Sequence, residues 1–447
     1  MIDRYVRLVG LFLLRAGRQP AFSFLLTLAV LSCLAGANQA AAEEWPFWRG
    51  PRGDGSSSEV EVPTNWNGTT GENIAWQVDV PGKGHSSPIV WGDRVFLTTC
   101  TPEDQRRLLL CFDRQTGKTL WQTEVISAEL EINHRLNSHA SGTPATDGER
   151  VYVSFFEPSG TKDKDPVETN RDRSQGSMVV AAYDFDGKEV WKVRPGSFAS
   201  LHGFCSNPIL YRDLVIVNGD HDGDAYLVGL NKKTGQTVWK TPRENKKRSY
   251  TTPIIRTIDG REQMILSGSI CVASYDPNTG RRHWIIDGPT DQFVASVVYG
   301  KGLVFVTAGF PERHMMAIRP NGTGNVTESH IVWRTRNACA YVPSPAAVGD
   351  YFVVVTDRGV GSCFQADSGQ RHWKERIGTE SFSSSPVVIA GLVYFLDEAG
   401  TTHVVRPGKK LDIVAENPLG EACYASPAVS NGQIFIRSES RLWCIGK

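Results

Sequence analysis

A nine-residue phrase recurs along the chain, and it constrains the fold more than any other feature. Each copy has Asp or Asn, then Thr-Gly or a close variant, and ends in Trp. The clearest copies are residues 113–121, 231–239 and 276–284, and altered copies are residues 184–191 and 365–373. Asp and Asn cap turns through the nearby backbone, and Gly takes the positive φ that closes such a turn. Each phrase therefore predicts a hairpin between two strands.

The Trp of each phrase is predicted to begin an outer strand and to cover the apolar gap between neighbouring sheets. A buried Trp removes roughly 150–250 Å² from water, which makes it a strong contributor to such a contact. The structural tryptophans assigned in this way are Trp76, Trp121, Trp191, Trp239, Trp284, Trp333 and Trp373.

A second pattern opens the innermost strand of each repeat. A small polar pair precedes Pro, as in Ser86-Ser87-Pro88 and Thr251-Thr252-Pro253, and a run of β-branched and aromatic residues follows. Such runs predict strands, and a repeat of about 40–50 residues is typical of β-propellers. There are eight inner strands but only seven Trp-bearing strands after them, and residues 73–80 supply the missing one. The predicted fold is therefore an all-β, eight-bladed β-propeller of four-stranded antiparallel blades, closed by the N-terminal strand completing the last blade.

The N-terminus predicts an export signal. Four arginines precede the apolar run 21–36, and small residues continue to Ala42. This order is typical of a signal peptide over residues 1–42, and the apolar run is short for a membrane span; a retained signal anchor is the alternative. Apolar residues continue beyond Cys33, so a lipid anchor there is not expected. Residues 43–72 would then be a lead-in segment, and residues 73–447 the propeller.

The charge balance and the signal together predict the setting of the mature chain. The full sequence has 48 Lys and Arg against 48 Asp and Glu, which gives no reason to expect a nucleic-acid partner. We expect an exported protein of the periplasm or cell envelope, without a transmembrane span in the mature chain, and a monomer.

The Asp-x-x-Thr-Gly-x-x-x-Trp phrase resembles the repeat of pyrroloquinoline-quinone (PQQ) dehydrogenases and of exported BamB-like and other PQQ-like propellers. The resemblance covers roughly residues 70–447, and the segment 45–55 resembles the lead-in of the exported group. It implies either a non-catalytic binding or scaffolding module for an envelope protein or peptide, or a PQQ-dependent oxidoreductase with calcium. A sugar- or peptide-binding propeller is a third hypothesis. The chain has no Cys-Cys dipeptide and no Cys-x-x-Cys-His motif, so no cofactor is firmly implied and we favour the first.

The fold places the residues just before the inner strands around the mouth of a central channel. They are His and aromatic residues that could hold a flat ligand or a peptide; the alternative is that they plug the channel. These candidate site residues are His85, His139, His202, Phe204, Tyr250, Phe293, Tyr341, Phe382 and Tyr424. No catalytic residue and no metal ligand is predicted, because no nucleophile–base or paired-carboxylate arrangement has a fixed spacing.

Three polar segments have their own interpretation. Residues 220–224 match the first half of a calcium loop, but Gly and Glu are missing further on, so an Asp-rich hairpin turn is predicted. The composition of residues 157–176 favours a mobile loop on the face of the channel mouth. Residues 127–139 contain Glu131 and His134 and suggest a metal only weakly, so a solvated loop is predicted there.

The cysteines of the mature chain are predicted in two groups. Cys111, Cys363 and Cys444 fall at a repeat position that holds Ala, Gly or Ser in other copies, which is typical of small, buried free thiols. Thiol and disulfide states both stay open for Cys100, Cys205, Cys271, Cys339 and Cys423.

Overall fold

The computed structural model describes residues 43–166 and 168–447, and the predicted signal peptide lies outside this part. Its regular structure is entirely β, with 33 strands and no helix among the described residues. Accordingly, this part of the chain offers no helix with the length and apolarity needed to cross a membrane.

The strands form eight sheets that follow one another along the chain. β1 (Ile74–Asp79) comes first but belongs to the last sheet. The first sheet has β2 (Ile89–Trp91), β3 (Arg94–Thr101), β4 (Arg106–Asp113) and β5 (Thr119–Ser127). The second has β6 (Ala145–Thr146), β7 (Arg150–Lys164), β8 (Asp172–Asp184) and β9 (Glu189–Ser200). The third has β10 (Ile209–Tyr211), β11 (Leu214–Gly219), β12 (Tyr226–Asn231) and β13 (Thr237–Pro242).

The remaining sheets repeat this plan. The fourth has β14 (Ile254–Ile258), β15 (Arg261–Gly268), β16 (Cys271–Tyr275) and β17 (Arg282–Asp287). The fifth has β18 (Val298–Gly300), β19 (Leu303–Ala308), β20 (His314–Ile318) and, beyond β21 (Gly324–Asn325), β22 (Ile331–Thr335). The sixth has β23 (Ala346–Val348), β24 (Tyr351–Val355), β25 (Val360–Gln365) and β26 (Arg371–Arg376). The seventh has β27 (Val387–Ile389), β28 (Leu392–Leu396), β29 (Thr401–Val405) and β30 (Ile413–Pro418), and the eighth has β31 (Ala428–Ser430), β32 (Gln433–Arg437) and β33 (Arg441–Ile445) with β1.

Neighbouring strands within a sheet pair antiparallel, with one exception. The short strand β21 pairs parallel with β17 and makes the fourth sheet five-stranded. β1 pairs antiparallel with β33, where Trp76 lies opposite Cys444 and Val78 opposite Leu442. The last sheet therefore contains strands from the two ends of the described chain.

The small polar residues that precede the inner strands connect the sheets. At each of eight positions, the residue donates a hydrogen bond to the side chain of its counterpart in the next sheet, and the eighth donates to the first. The donors and acceptors follow the order Ser87, Thr143, Asn207, Thr252, Ser296, Ser344, Ser385, Ser426 and again Ser87. Each sheet is thus hydrogen-bonded to the sheet on either side of it.

The seven repeat tryptophans make a second set of contacts between sheets. The indole N–H of each donates to a backbone carbonyl in the turn of the following sheet, as from Trp191 Nε1 to Lys232 O at 2.8 Å. In five of the seven turns a glycine lies directly against the ring. Gly235 has a φ of +73°, and a Cβ there would lie 2.7 Å from the Trp191 ring, so both the backbone and the packing require glycine.

The seventh sheet lacks this Trp, and the lead-in segment replaces it. Ala415 lies opposite Val404, the register that Trp occupies in the other sheets. Trp66 is buried nearby and stacks on Tyr394 with ring centroids 6.3 Å apart. Its backbone N–H donates to Asn417 Oδ1 at 3.1 Å. A tryptophan from outside the repeat therefore covers the gap that the repeat leaves open.

The segment 157–176, predicted as a mobile loop, is instead a hairpin, so that prediction is wrong. β7 and β8 continue past the body of the second sheet, with Lys162 opposite Ser174 and Lys164 opposite Asp172. Charged pairs stabilise the extension, such as Arg173 Nε with Asp163 Oδ1 at 2.8 Å. Ion pairs and backbone hydrogen bonds stabilise this extension, whereas buried apolar side chains stabilise the other strands. The polar composition therefore gave no indication of strands here.

Candidate functional site

A cavity of about 910 Å³ lies where the inner strands begin. Its walls include Ser87, Asn207 and Ser385, which belong to the hydrogen-bonded series between sheets, and Trp48 of the lead-in segment. Side chains from several sheets therefore meet in one place, although they are far apart in the sequence.

Five of the nine candidate residues line this cavity. Each of the five has a polar side-chain atom, whereas three of the other four are phenylalanines. The five are His85, His202, Tyr250, Tyr341 and Tyr424. The three phenylalanines are buried in apolar clusters between sheets: Phe204, Phe293 and Phe382. A phenyl ring loses nothing by full burial, whereas a hydroxyl or imidazole needs a hydrogen-bond partner or water.

The remaining candidate, His139, lies beside a buried carboxylate. Its Nδ1 lies 3.1 Å from Glu131 Oε2, which also accepts from Arg107 Nη2 at 2.6 Å. Arg107 and Glu131 are both buried. The segment 127–139, predicted as a solvated loop, is thus anchored to the first sheet by an internal ion pair.

His202 is held between Tyr250 and the hairpin of β7 and β8. Its Nε2 lies 3.3 Å from Arg171 Nη1, and its Nδ1 lies 3.1 Å from Tyr250 Oη. Because arginine has donors only, Nε2 of the neutral ring accepts and Nδ1–H donates to Tyr250. Burial, aided by the charge of Arg248, lowers the pKa of His202 to about 4.

His85 on the other side of the cavity stacks on Tyr424, with ring centroids 4.7 Å apart. Burial, with the nearby charge of Arg437, lowers the pKa of His85 to about 4. Burial also raises the pKa of Tyr341 to about 12. These rings are therefore uncharged at neutral pH.

Arg248 joins the hairpin tip to the third sheet. Its Nη1 donates to Asp165 Oδ2 at 2.8 Å and to Asp222 Oδ2 at 2.7 Å, and its Nη2 donates to Glu168 Oε1 at 2.8 Å. Glu168 also accepts from Arg171 Nη1 at 2.9 Å, and both residues line the cavity. The sequence did not predict this part of the cavity wall, because no local sequence pattern links Arg248 to a hairpin some 80 residues earlier.

The Asp-rich segment 220–224 forms the turn between β11 and β12 and is paired with cations. Asp220 bonds Arg243 at 2.8 Å, Asp222 bonds Arg248 at 2.7 Å, and Asp224 bonds Lys246 at 2.7 Å. Within the described part of the chain, no three His, Cys, Asp or Glu side chains are placed to hold a metal ion.

The eight cysteines between residues 43 and 447 are all free thiols. Seven are buried, and the partly buried Cys205 lines the cavity. Burial raises the pKa of Cys205 to about 12, so its thiol stays protonated at neutral pH.

The residues around the cavity do not fit PQQ with calcium. Calcium takes six to eight oxygen ligands, several of them carboxylates. Asp165, Asp222 and Glu168 are bonded to the Arg248 guanidinium, which lies where a cation between them would lie. The carboxylate of Asp357 accepts the backbone N–H groups of Tyr341 and Val342 at 3.1 and 2.9 Å.

Comparison with known proteins places this geometry in a family. A family model described as outer membrane protein assembly factor BamB matches residues 57–160 and 106–375, which together are well over half of the chain. The chain belongs to this BamB-like, PQQ-like propeller family. BamB from Yersinia pestis is 19% identical over 352 residues, covering 79% of this chain and 71% of that protein.

Solved structures share the fold of this BamB-like chain at low identity. BamB from Moraxella catarrhalis has a TM-score of 0.56 and 13% identity, and covers 84% of this chain and 97% of its own. A quinohemoprotein alcohol dehydrogenase from Pseudomonas putida HK5 has a TM-score of 0.60 and 11% identity, and covers 90% of this chain and 80% of its own. At such identities the likeness concerns the fold alone.

Proposed function

We propose that this BamB-like chain is a binding or scaffolding propeller of the periplasm or cell envelope that holds a protein or peptide partner and carries out no reaction of its own. The observation that carries the proposal is the state of the ionisable groups at the cavity. A general base works best with a pKa near the working pH, whereas His85 and His202 have pKa values of about 4. Asp165, Asp222 and Glu168 are bonded to Arg248, and Asp357 accepts two backbone N–H groups.

The proposal includes a closed ring of eight blades. The series of hydrogen bonds that returns to Ser87 supports closure, and so does the pairing of β1 with β33. We further propose that residues 1–42 are an export signal, that residues 43–72 are a lead-in segment, and that the propeller over residues 73–447 acts as a monomer. A closed ring has few open sheet edges and presents loops from every blade at one mouth, which suits a docking platform.

The second candidate function is a PQQ-dependent oxidoreductase. The structural likeness to quinohemoprotein alcohol dehydrogenases is the observation in its favour. The Arg248 contacts argue against it, because they engage the carboxylates that calcium would need.

A site-specific cross-linking experiment tests the binding function. A photoreactive phenylalanine replaces Leu136, which lines the cavity and has 41% of its surface exposed, in the exported full-length protein. The matched control is Val190, on the outer strand β9, which has 42% of its surface exposed. We expect irradiation in cells to give a discrete adduct with an envelope protein from position 136 and none from position 190.

Two results would overturn the proposal. One is the lack of any adduct specific to position 136. The other is stoichiometric binding of added PQQ and Ca²⁺ to the purified protein, followed by dye reduction with alcohols or sugars, which would establish the oxidoreductase.

A further inference from the structure

The acidic groups at the cavity already accept hydrogen bonds from the protein. Glu168 accepts from both Arg248 and Arg171 at 2.8 and 2.9 Å. Asp357 accepts two backbone N–H groups, from Tyr341 and Val342. A cationic ligand would therefore have to compete with these internal donors for every carboxylate that lines the cavity.

Three basic side chains at the cavity have no such partners among the described residues. Arg313, Arg358 and Lys374 line the cavity and are exposed. None of the three side chains makes an ion pair or a hydrogen bond with any residue that the structure describes. We call these three residues the cationic rim. They come from the fifth and sixth sheets, so their charges lie on one side of the mouth and attract an anionic partner.

An apolar anchor point lies beside the cationic rim. Phe310 lines the cavity with half of its surface exposed. Its backbone is held in place, because Phe310 O accepts from Gln292 N at 3.0 Å. Aromatic residues, Phe among them, are enriched in protein interfaces relative to the rest of the surface.

We propose that the cavity binds an acidic peptide segment of the partner that carries an aromatic or large apolar side chain. The partner's carboxylates lie at the cationic rim, and its apolar side chain packs against Phe310 and the tyrosine and histidine rings. This inference rests on the proposed binding function and specifies the chemistry of the partner.

The test uses peptide binding to the mature protein, measured by fluorescence anisotropy. The probe is a fluorescein-labelled peptide of repeated Glu-Glu-Phe, compared with Lys-Lys-Phe and Glu-Glu-Ser peptides of equal length. We expect binding of Glu-Glu-Phe alone, weakened by roughly tenfold or more when NaCl rises from about 0.05 to 0.5 M, because exposed charges are screened.

A matched pair of triple variants locates the site. The rim variant is R313Q/R358Q/K374Q. The control variant is K118Q/K188Q/K233Q, which removes from outer turns three exposed lysines whose side chains make no ion pair with a described residue. We expect the rim variant to lose roughly tenfold or more of the affinity for Glu-Glu-Phe, and the control variant to stay within about twofold. Equal thermal midpoints of both variants show that the fold is intact.

Three outcomes contradict the inference: equal loss of affinity in both variants, equal binding of Glu-Glu-Ser, or equally tight binding of an oligothymidylate, which would indicate a surface for polyanions in general. If the adduct from position 136 forms while Glu-Glu-Phe does not bind, the acidic-peptide inference is wrong and the binding function stands. If neither occurs, both are wrong.

Discussion

At the scale of single residues, a hydrogen bond of 3.1 Å joins the His202 and Tyr250 rings in the wall of the cavity. The small polar pair before each inner strand predicts that both rings lie at the channel mouth. The same rule places Phe293 there, but the structure buries Phe293 between sheets. Whether a ring turns towards the cavity or into the gap depends on partners from other sheets, and a repeat pattern does not contain that information.

The cysteines also show which positions the repeat pattern predicts and which it does not. A column of Cys, Ala, Gly and Ser predicts a tight site, and Cys111, Cys363 and Cys444 are buried free thiols. Cys205 has no such column, and its place in the cavity wall followed only from the structure.

His202 gives the protein a measurable dependence of stability on pH. Its pKa is about 4 in the folded state, below the unfolded value of about 6.5. Between these values the unfolded chain binds a proton that the folded chain does not, so stability decreases as pH falls from about 6.5 to 4. In His202→Gln this contribution disappears, and we expect a shallower decrease of the thermal midpoint over that range, worth about 1–3 kcal/mol at most. Parallel curves for the two proteins below pH 6.5 would refute the assignment, and the range above pH 7 is the internal control.

At the scale of elements, the strands of the repeat were predictable and the additions to it were not. Apolar alternation and turn chemistry are local, and the strand β19 (Leu303–Ala308) appears where both predict it. The hairpin over residues 157–176 is rich in polar residues, and its tip is bonded to Arg248, which is distant in the sequence. Trp66 was not predictable either. It covers a gap between two sheets as the repeat tryptophans do, but it does not belong to a copy of the nine-residue phrase.

The contact of Arg248 with three carboxylates should control the hairpin tip. Arg248→Ala leaves Asp165, Asp222 and Glu168 near one another without their shared cation, and breaking a buried ion pair costs about 3–5 kcal/mol. We expect the tip to detach and trypsin to cleave between Lys162 and Arg173 at least roughly tenfold faster, with the rest of the protein resistant. The control is Arg194→Ala, which removes an exposed pair with Glu157 at the base of the hairpin. Equal cleavage of the two variants would show that the tip is ordered without Arg248.

At the scale of the whole molecule, the sequence predicted the additional strand that precedes the first complete repeat. Trp76 stands one repeat ahead of the first complete phrase, which predicted a strand that joins the last sheet, and β1 does pair with β33. The charge distribution around the cavity was not predictable, because Arg313 and Arg358 share a wall only through the arrangement of two sheets.

The contribution of β1 can be separated from that of the lead-in segment by comparing chains that begin at residue 73 and at residue 81. Without β1, the apolar side of β33 is uncovered and its edge is unpaired. We expect the shorter chain to melt roughly 10 °C lower or to aggregate, since several kcal/mol of packing and pairing are lost. Appending residues 73–80 after Lys447 through a short turn should restore the midpoint, because Asn73 O accepts from Gly446 N at 2.9 Å. Equal midpoints of the two truncated chains would show that β1 is dispensable.

The partnership of β1 with β33 also sets a timetable for biosynthesis. The ribosome makes β1 (residues 74–79) long before β33 (residues 441–445), so the eighth sheet can assemble only after the strands of the other seven have been made. Until then the nascent polypeptide keeps β1 without its partner strand. A chain truncated before residue 441 would leave β1 unpaired in the same way.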